Sequence, residues 1–403
     1  MYIHNYIKMK QIILKKYTEL SQKSHLHFAE QVKTYLSTPE EDKEDDAEVI
    51  DLPFPGNATY NFNTRLKDED MQPLSISFMS YVSNIRHIDL SYNILTDKGI
   101  AILSKLLEYA DNLQSLNLKG NQIGDNGCES LSRALKNKTK LSYFNINTNV
   151  FGNLGLMSIN ELLYKNEALK HLNVGCNRYD WDGIISITSA LKTTNTNLEV
   201  LNIDDPEYKI QDQHFFAHFG KMFLSNTGLK KLSLRSHMIR WEAVKILFHH
   251  LRNNSSLLVL DLSGNQVCFQ SMIYILDYLS KKSVLRSLNL SHNKLYDHGV
   301  KLLGEGLKTN TTLEHLDVTS NKVTDVGFVE FGTRLMENKT LKSLKCFWEN
   351  SWGANSIKVF NDYLAMKGSD FYPDFTIYED EQNELNIAYL ETHMPNEQDY
   401  LVE

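Results

Sequence analysis

The chain has 403 residues, a formal net charge of −8 and a sequence pI near 6.0. This acidic balance argues against general affinity for nucleic acids, which attract basic proteins. The four cysteines lie far apart and form no C-x-x-C pair, so we predict no disulfide framework and expect a reducing compartment. No uninterrupted apolar run predicts a signal peptide or a membrane-spanning helix.

Residues 1–47 are predicted to form a helical N-terminal arm followed by an acidic linker. A broken apolar stripe from Ile13 to Leu36 indicates helix, and six lysines make this part basic. We expect the arm to cap the structure that follows it, and contact with a partner is the alternative. The charge run from Pro39 to Asp51 is typical of a solvated linker, with binding of a basic partner as a second interpretation.

An internal repeat organises most of the remaining chain, and the segment Leu285–Leu313 shows it most clearly. Leucines at 285, 288, 290 and 295 and an asparagine at 293 follow the leucine-rich-repeat signature L-x-x-L-x-L-x-x-N-x-L. Apolar residues at 300, 303 and 307 then mark one face of a helix. A unit of one short strand, one turn and one helix cannot bury its apolar face alone, so copies of it must stack.

The copies recur in register. The second consensus leucine falls at Ile88, Leu116, Phe144, Leu172, Leu201, Leu232, Leu260, Leu288, Leu316 and Leu344. The spacing is 28 residues, apart from one interval of 29 and one of 31. Residues 48–365 are therefore predicted to form an α/β leucine-rich-repeat solenoid of about ten regular 28-residue repeats with atypical ends. Because strands are narrower than helices, we expect a horseshoe with parallel strands on the concave face and helices on the convex face.

Two further columns of residues repeat with the leucines. The turn asparagine recurs from Asn93 to Asn321, and a glycine six residues later recurs from Gly99 to Gly327. We expect the asparagine side chains to satisfy backbone groups of the turn that stacking hides from water. We expect the glycines to allow a tight turn into the helix. Both columns are interpreted as structural.

Residues 366–403 are predicted to form an acidic, aromatic C-terminal tail or cap. No lysine or arginine follows Lys367, and the segment carries six phenylalanine or tyrosine residues. This mixture is unlike simple disorder, which is poor in aromatic residues.

Protein binding is predicted to use the strand face of the repeats. The position between the two inner leucines is polar from Asp89 to Lys345, and we expect it to form a solvated ladder. Aromatic and arginine residues near it are typical interface anchors, and the repeat register breaks at an Asp-Asp pair that precedes extra length around residues 209–219. That extra length either decorates a binding face or is tolerated loop variation. The candidate binding residues are Tyr143, His171, Asp204, Asp205, Arg235, Arg286, His315, Phe347 and Trp348.

Catalysis is not predicted. The sequence has no G-x-G-x-x-G, P-loop, H-E-x-x-H or G-x-S-x-G motif. Its aspartates and histidines are scattered by the repeat, and the pair His249–His250 faces neighbouring directions on a helix, a poor metal site. We expect no enzyme activity, no cofactor and no metal.

The 28-residue unit with its asparagine and glycine columns resembles the ribonuclease-inhibitor-like subfamily of leucine-rich-repeat proteins over residues 48–365. The resemblance implies an intracellular αβ horseshoe that binds proteins. Relatives occur in ciliary and cytoskeletal assemblies, which implies a structural subunit in a hetero-complex. The implied location is the cytoplasm, for example the ciliary axoneme or the cytoskeleton. We expect one or more protein partners, and neither nucleic acid nor membrane.

Two other functions remain open. The subfamily also includes activators of the GTPase Ran, which need an arginine and turn asparagines at one edge of the N-terminal repeats. Here Arg86 and Asn93 are the only loose counterparts, and the C-terminal tail is aromatic and interrupted rather than continuously acidic. A one-to-one protein inhibitor is the third possibility. Stoichiometric stable binding distinguishes a scaffold from a catalytic regulator.

Overall fold

The computed structural model describes residues 2–23, 29–38, 49–56, 65–207, 212–281 and 283–391. These fall into two compact units, Met1–Tyr208 and Lys209–Glu403. Most of the predicted acidic linker, the start of the insertion near residue 209 and the end of the C-terminal tail lie outside the described residues.

Unit 1 is a stack of strand–helix repeats behind a pair of N-terminal helices. Its helices are α1 (Tyr2–Lys23), α2 (Glu30–Ser37), α3 (Met71–Phe78), α4 (Asp97–Leu107), α5 (Asp125–Leu135), α6 (Asn153–Lys165) and α7 (Trp181–Thr193), with 3-10 turns at Asp68–Asp70 and Met79–Asn84. Its strands are β1 (Ile50–Pro53), β2 (Ile85–Asp89), β3 (Ser115–Asn117), β4 (Tyr143–Asn145), β5 (His171–Asn173) and β6 (Val200–Asn202). The strands pair in parallel in chain order.

Unit 2 continues the same pattern and ends in a hairpin. Its helices are α8 (Ala217–Ser225), α9 (Trp241–Leu251), α10 (Phe269–Lys281), α11 (Tyr296–Thr309), α12 (Asp325–Leu335) and α13 (Ala354–Lys367), with 3-10 turns at Gln213–Phe216 and Gly368–Asp370. Its strands are β7 (Lys231–Ser233), β8 (Val259–Asp261), β9 (Ser287–Asn289), β10 (His315–Asp317), β11 (Ser343–Lys345), β12 (Tyr372–Pro373), β13 (Phe375–Glu379) and β14 (Leu385–Tyr389). Strands β7–β12 pair in parallel, and β13 pairs with β14 in antiparallel fashion.

The predicted α/β repeat architecture is confirmed in each unit. The ten strands β2–β11 each carry one predicted consensus leucine position, and these residues align across neighbouring strands, as Leu288 aligns with Leu260 and Leu316. The side chain at this position is buried beneath the helices, whereas its two strand neighbours face the other side. One further strand precedes these ten at the N-terminal end of the predicted solenoid, because Leu52 of β1 aligns with Ile88.

The N-terminal helices pack onto the first helix of the array. Ile13 and Tyr17 of α1 are fully buried. Lys10 is almost fully buried, lies over the Tyr35 ring with its ammonium 4.0 Å from the ring centroid, and donates a hydrogen bond of 3.3 Å to the Thr38 carbonyl. These contacts join α1 to α2.

The asparagine column joins each repeat to the one before it. In unit 1, Asn149 donates from Nδ2 to the Leu118 carbonyl of the preceding repeat and to its own Ile146 carbonyl, both at 3.0 Å. Its Oδ1 accepts from the Ile123 amide at 2.9 Å. The expected structural role of the column is confirmed, since each buried amide satisfies backbone groups on two repeats.

The glycine column has a different cause from the one expected. A Cβ atom on Gly127 would lie 2.6 Å from Oδ1 of Asp97, and one on Gly155 would lie 2.7 Å from Oδ1 of Asp125. The Asp125 carboxylate accepts hydrogen bonds from Gly152 and Gly155 amides at 2.8 and 2.7 Å. The glycines therefore leave space for an acidic side chain of the preceding repeat that caps the next helix.

A second asparagine ladder runs through the helix-to-strand loops. Asn254, Asn310 and Asn338 are buried and donate to carbonyl groups of the preceding repeat at 2.9, 2.9 and 2.7 Å. In unit 1, Asn166 and Asn195 do the same at 3.1 and 2.9 Å. One repeat of unit 1 has Lys138 at this position, which donates instead to the Glu108 carbonyl at 2.8 Å and to Asp111 at 2.7 Å. These hydrogen bonds give a structural reason for asparagine at positions 254, 310 and 338, each of which begins an Asn-x-Ser/Thr sequence.

Candidate functional site

The polar ladder on the strand face is part of the backbone hydrogen bonding. Its side-chain oxygens accept from the amide two residues further on at 2.7–3.2 Å, at Asp89, Asn117, Asn145, Asn173, Asn202, Asp261, Asn289 and Asp317. The expectation of a merely solvated ladder was incomplete. Aspartate and asparagine recur here because their short side chains satisfy the amides where the strand turns away.

The last repeat replaces this ladder residue with Lys345, which has no side-chain acceptor. Asp374, which follows β12, supplies the missing oxygens. Its carboxylate accepts from the Cys346 amide at 2.9 Å and from the Phe347 amide at 3.1 and 3.2 Å. The C-terminal segment is thus tied to the backbone of the last repeat at the residues that carry the best binding candidates.

Those candidates form one cluster with a residue of the hairpin. The rings of Phe347, Trp348 and Tyr389 lie within 4.9–5.9 Å of one another, measured between centroids, and we call them the C-terminal aromatic cluster. Trp348 is 54% exposed and Tyr389 is 42% exposed. Sequence reasoning placed Tyr389 only among the aromatic residues of the C-terminal tail. Its partner Trp348 lies about forty residues earlier, in a segment that has no repeat relation to the tail.

The hairpin that carries Tyr389 is anchored in the core of unit 2. Phe375 aligns with Tyr389 across the hairpin and is fully buried. Its ring lies 5.2 Å from that of Trp352 and 5.7 Å from that of Phe360. The C-terminal aromatic cluster is therefore supported by the buried, packed side chains beneath the hairpin.

Four other candidates lie in unit 1. Tyr143 and His171 align on neighbouring strands, with ring centroids 6.2 Å apart, and both are half-buried. Asp204 accepts from Asn202 Nδ2 at 2.8 Å. The next residue, Asp205, is exposed and has a positive φ of 46°. The first pair forms a small aromatic surface, whereas the aspartates shape the turn after β6.

The remaining three candidates are dispersed over the strand side of unit 2. Arg235 and Arg286 are exposed, but His315 is only 8% exposed. Its neighbours in register on both adjacent strands are serines, Ser287 and Ser343, which leave room for the imidazole to lie within the strand face. His315 therefore presents little of its ring to a partner.

Asp374 is expected to make the stability of the C-terminal segment depend on pH. Burial raises the pKa of this carboxyl group from 3.8 to about 6. Since the folded state favours the protonated form, the stabilisation is complete below about pH 4 and is lost as the pH rises through about 6. The free energy of unfolding is expected to fall by about 3 kcal/mol over this window. Asp374→Asn, which keeps an acceptor oxygen but cannot ionise, should remove the part of this loss that comes from Asp374 in urea unfolding measured from pH 4 to 7. A smaller decrease of the same sign should remain, because burial also raises the pKa of Asp317.

Asp380→Asn provides the control for this experiment. Asp380 lies in the hairpin turn, where amides of Glu384 and Gln382 lower the pKa of its carboxyl group. Its removal should leave the decrease between pH 4 and 6 in place. An unchanged pH profile in Asp374→Asn would contradict the assignment to Asp374.

Two kinds of site are missing from the described part of the chain. Residues 2–23, 29–38, 49–56, 65–207, 212–281 and 283–391 contain no group of three or more His, Cys, Asp and Glu side chains placed to hold a metal ion. Among the helices of these ranges, none combines the length and apolarity that crossing a membrane requires.

Comparison with known proteins agrees with the repeat geometry. A family model described as Leucine Rich repeat matches residues 111–132, 253–267, 281–304 and 309–332. The chain contains leucine-rich repeats. These matches fall in both units, at the repeats where consensus leucines and asparagines are most regular.

Two solved structures that are similar to this chain are distant from it in sequence. An internalin (inlF) from Listeria monocytogenes is 18% identical with a TM-score of 0.42, and the match covers 73% of this chain and 81% of the internalin. A structure named leiomodin-1 actin-binding site 2 is 19% identical with a TM-score of 0.34, and the match covers 39% of this chain and 88% of that one. No curated protein sequence is significantly similar to this chain.

Proposed function

We propose that this leucine-rich-repeat chain is a non-enzymatic scaffold that binds a partner protein through the C-terminal aromatic cluster. The observation that supports this proposal most directly is the exposure of Trp348 and Tyr389 above a buried base. Large aromatic side chains left in water on a packed surface are typical of interface hot spots.

The cluster is preorganised for binding. The Phe347 amide is held by Asp374, and Tyr389 is held by its pairing with Phe375 across the hairpin. Anchors whose backbone is already fixed lose little conformational entropy when a partner arrives. This favours binding without a large backbone change.

The strand face beside the cluster supplies a polar rim. Arg286 is exposed at the start of β9, two strands from β11. Lys342, which is also exposed, pairs with Glu314 at 2.7 Å. A central aromatic anchor with charged residues around it is the usual anatomy of a specific protein interface.

The specific assembly that we propose is an intracellular structure such as a ciliary axoneme, with this chain as a structural subunit in a hetero-complex. This rests on the subfamily resemblance. It also rests on the similarity of Arg65–Ser75 and of the Tyr378-Glu-Asp and Ala388–Glu391 segments to leucine-rich-repeat-containing protein thirty-four.

A Ran-activator-like function is less favoured. Asn93, one of its two loose counterparts, is only 2% exposed. It donates to the Phe54 and Leu90 carbonyls at 2.8 and 2.9 Å and accepts from the Leu66 amide at 2.8 Å. An asparagine used in this way is part of the ladder and offers no free side chain to a GTPase.

Trp348→Ala is expected to weaken partner binding by about 2 kcal/mol, or roughly thirtyfold in Kd. The side chain is largely exposed, so the melting temperature should change little. Arg286→Ala should have a smaller effect in the same direction. Tyr109→Ala, which removes a 61% exposed aromatic of unit 1, is the matched control and should not affect binding.

The partner for these measurements is to be identified by cross-linking mass spectrometry on the tagged protein in its own cells. Detergent-resistant cytoskeletal material is first separated from the soluble fraction. Retention in the resistant fraction, with cross-links near Lys342 and Lys345, supports a structural subunit. A partner whose affinity is the same for wild type, Trp348→Ala and Arg286→Ala would refute the proposed surface. Acceleration of GTP hydrolysis at substoichiometric amounts would replace the scaffold with a regulator.

A further inference from the structure

The helix side of unit 2 carries a strip of exposed apolar residues near the N-terminal ends of α9 to α12. We call this set the helix-face strip. Its members are Trp241 (37% exposed), Phe269 (43%), Ile273 (58%), Tyr296 (43%) and Val326 (67%). Trp241 and Phe269 are separated by one 28-residue repeat, so the stacking of the repeats places both at the start of neighbouring helices.

The same side of α4 and α5 in unit 1 has the opposite character. Exposed positions there are occupied by Lys98, Asn126, Glu129 and Arg133, and Arg133 pairs with Glu129 at 2.7 Å along one helix face. Such residues are usual on a solvated helix surface. The repeat itself therefore does not require apolar side chains at the corresponding ends of the unit 2 helices. Large exposed apolar strips of this kind indicate an interaction surface.

A groove between α9 and α10 lies beside the strip. It has a volume of about 330 Å³ and is lined by Lys245, Ile246, His249, His250, Arg252 and Tyr274. The lining is apolar at its base, while Lys245 and His249 are exposed one helical turn apart on α9. His250 is fixed by a contact of 2.8 Å between its Nδ1 and the Ile246 carbonyl.

The cationic side chains of this groove differ in their partners. Arg252 forms an ion pair with Asp277 of α10. Lys245 lies on the exposed surface of α9 beside His249. The side chains that line the groove include no carboxylate, although Asp277 borders it through the ion pair with Arg252. A ligand that brought carboxylates over α9 and large apolar side chains over α10 would match both properties of the surface.

We propose that the groove between α9 and α10, together with Phe269 and Ile273, binds an acidic amphipathic helix of a partner protein. Neighbouring helices packed about 8–10 Å apart leave a furrow into which the apolar face of a third helix fits. The carboxylates of that helix would pair with Lys245 and accept a hydrogen bond from the His249 imidazole. This surface is independent of the C-terminal aromatic cluster and gives the scaffold a second place to hold a partner.

The test is a selection of displayed random 16-residue peptides on the immobilised full chain. Sequences enriched on the wild type are expected to combine aspartate or glutamate with leucine, phenylalanine or tryptophan at helical spacing. Fluorescence anisotropy of the most enriched peptide should then give a Kd that rises at least tenfold in Phe269→Ser/Ile273→Ser. A comparable rise is expected in Lys245→Glu/His249→Glu, and binding should weaken with added salt.

The control replaces two exposed apolar residues of unit 1, Leu154→Ser and Met157→Ser, and should leave the affinity unchanged. These side chains are 69% and 40% exposed, so all three double variants alter surface residues and should keep the wild-type circular dichroism spectrum. Failure to enrich acidic amphipathic sequences would overturn the proposal, as would equal affinity in all variants. Salt-sensitive binding to phosphatidylserine vesicles without peptide enrichment would assign the surface to a membrane instead.

Discussion

Asn321→Ala is expected to lower the free energy of unfolding of unit 2 by about 3–5 kcal/mol, since several buried backbone groups lose their partner at roughly 1–3 kcal/mol each. Asn321 is fully buried. Its Nδ2 donates to the carbonyls of Leu290, Val318 and Thr319 at 2.8, 3.1 and 3.0 Å. Its Oδ1 accepts from the Leu295 amide at 3.2 Å. Alanine replaces none of these bonds.

Amide hydrogen exchange gives the sharpest measurement, because repeat arrays do not always unfold in two states. The Leu295 amide should exchange faster in Asn321→Ala, and the urea midpoint of unit 2 should fall. Asn253→Ala, at an exposed position in the loop after α9, should change neither. If Asn321→Ala and Asn253→Ala had the same amide exchange rate and the same urea midpoint, the asparagine column would contribute little to stability.

Phe375→Ala is expected to cost about 3–5 kcal/mol by leaving a cavity beneath the C-terminal hairpin. The ring is fully buried against Trp352 and Phe360. Its loss should also loosen Tyr389, which aligns with Phe375 across the hairpin. We therefore expect lower stability of the last repeat and, in addition, weaker binding at the C-terminal aromatic cluster.

Near-ultraviolet circular dichroism and tryptophan fluorescence during urea unfolding report on the four tryptophans of the chain, which include Trp352. Phe375→Leu should lose less stability than Phe375→Ala because it fills more of the cavity. Tyr372→Ala removes a 46% exposed ring from the adjacent strand and should be nearly neutral. If Tyr372→Ala were as destabilising as Phe375→Ala, the hairpin would not depend on the buried ring.

The repeat could be predicted from the sequence because every unit carries its own copy of the same apolar pattern. Strands of only three residues, such as Ser287–Asn289, carry too little pattern to be recognised singly. Their central apolar residue nevertheless occupies a position that recurs ten times in register and is leucine in eight of the ten repeats. The asparagine column was understood for the same reason. Its chemistry has one plausible use at a buried turn, and the hydrogen bonds of Asn149 agree with it.

Structural features that occur once, or that join distant segments, could not be predicted from the repeat pattern. Asp374 substitutes for the missing acceptor at Lys345, but nothing in the local sequence relates the two positions. The reason for Gly127 lies in the approach of Asp97 from another repeat, which periodicity alone does not reveal. The burial of His315 likewise depends on serines of the two neighbouring strands.

The direction of the asparagine ladder has a consequence for biosynthesis. Asn293 donates to the Leu262 carbonyl of the repeat before it and accepts from the Val267 amide of that repeat. Each repeat is therefore completed by a side chain that leaves the ribosome about one repeat later. A nascent chain will always carry one unfinished unit at its growing end, and a ribosome that pauses within the array will expose that unit to chaperones.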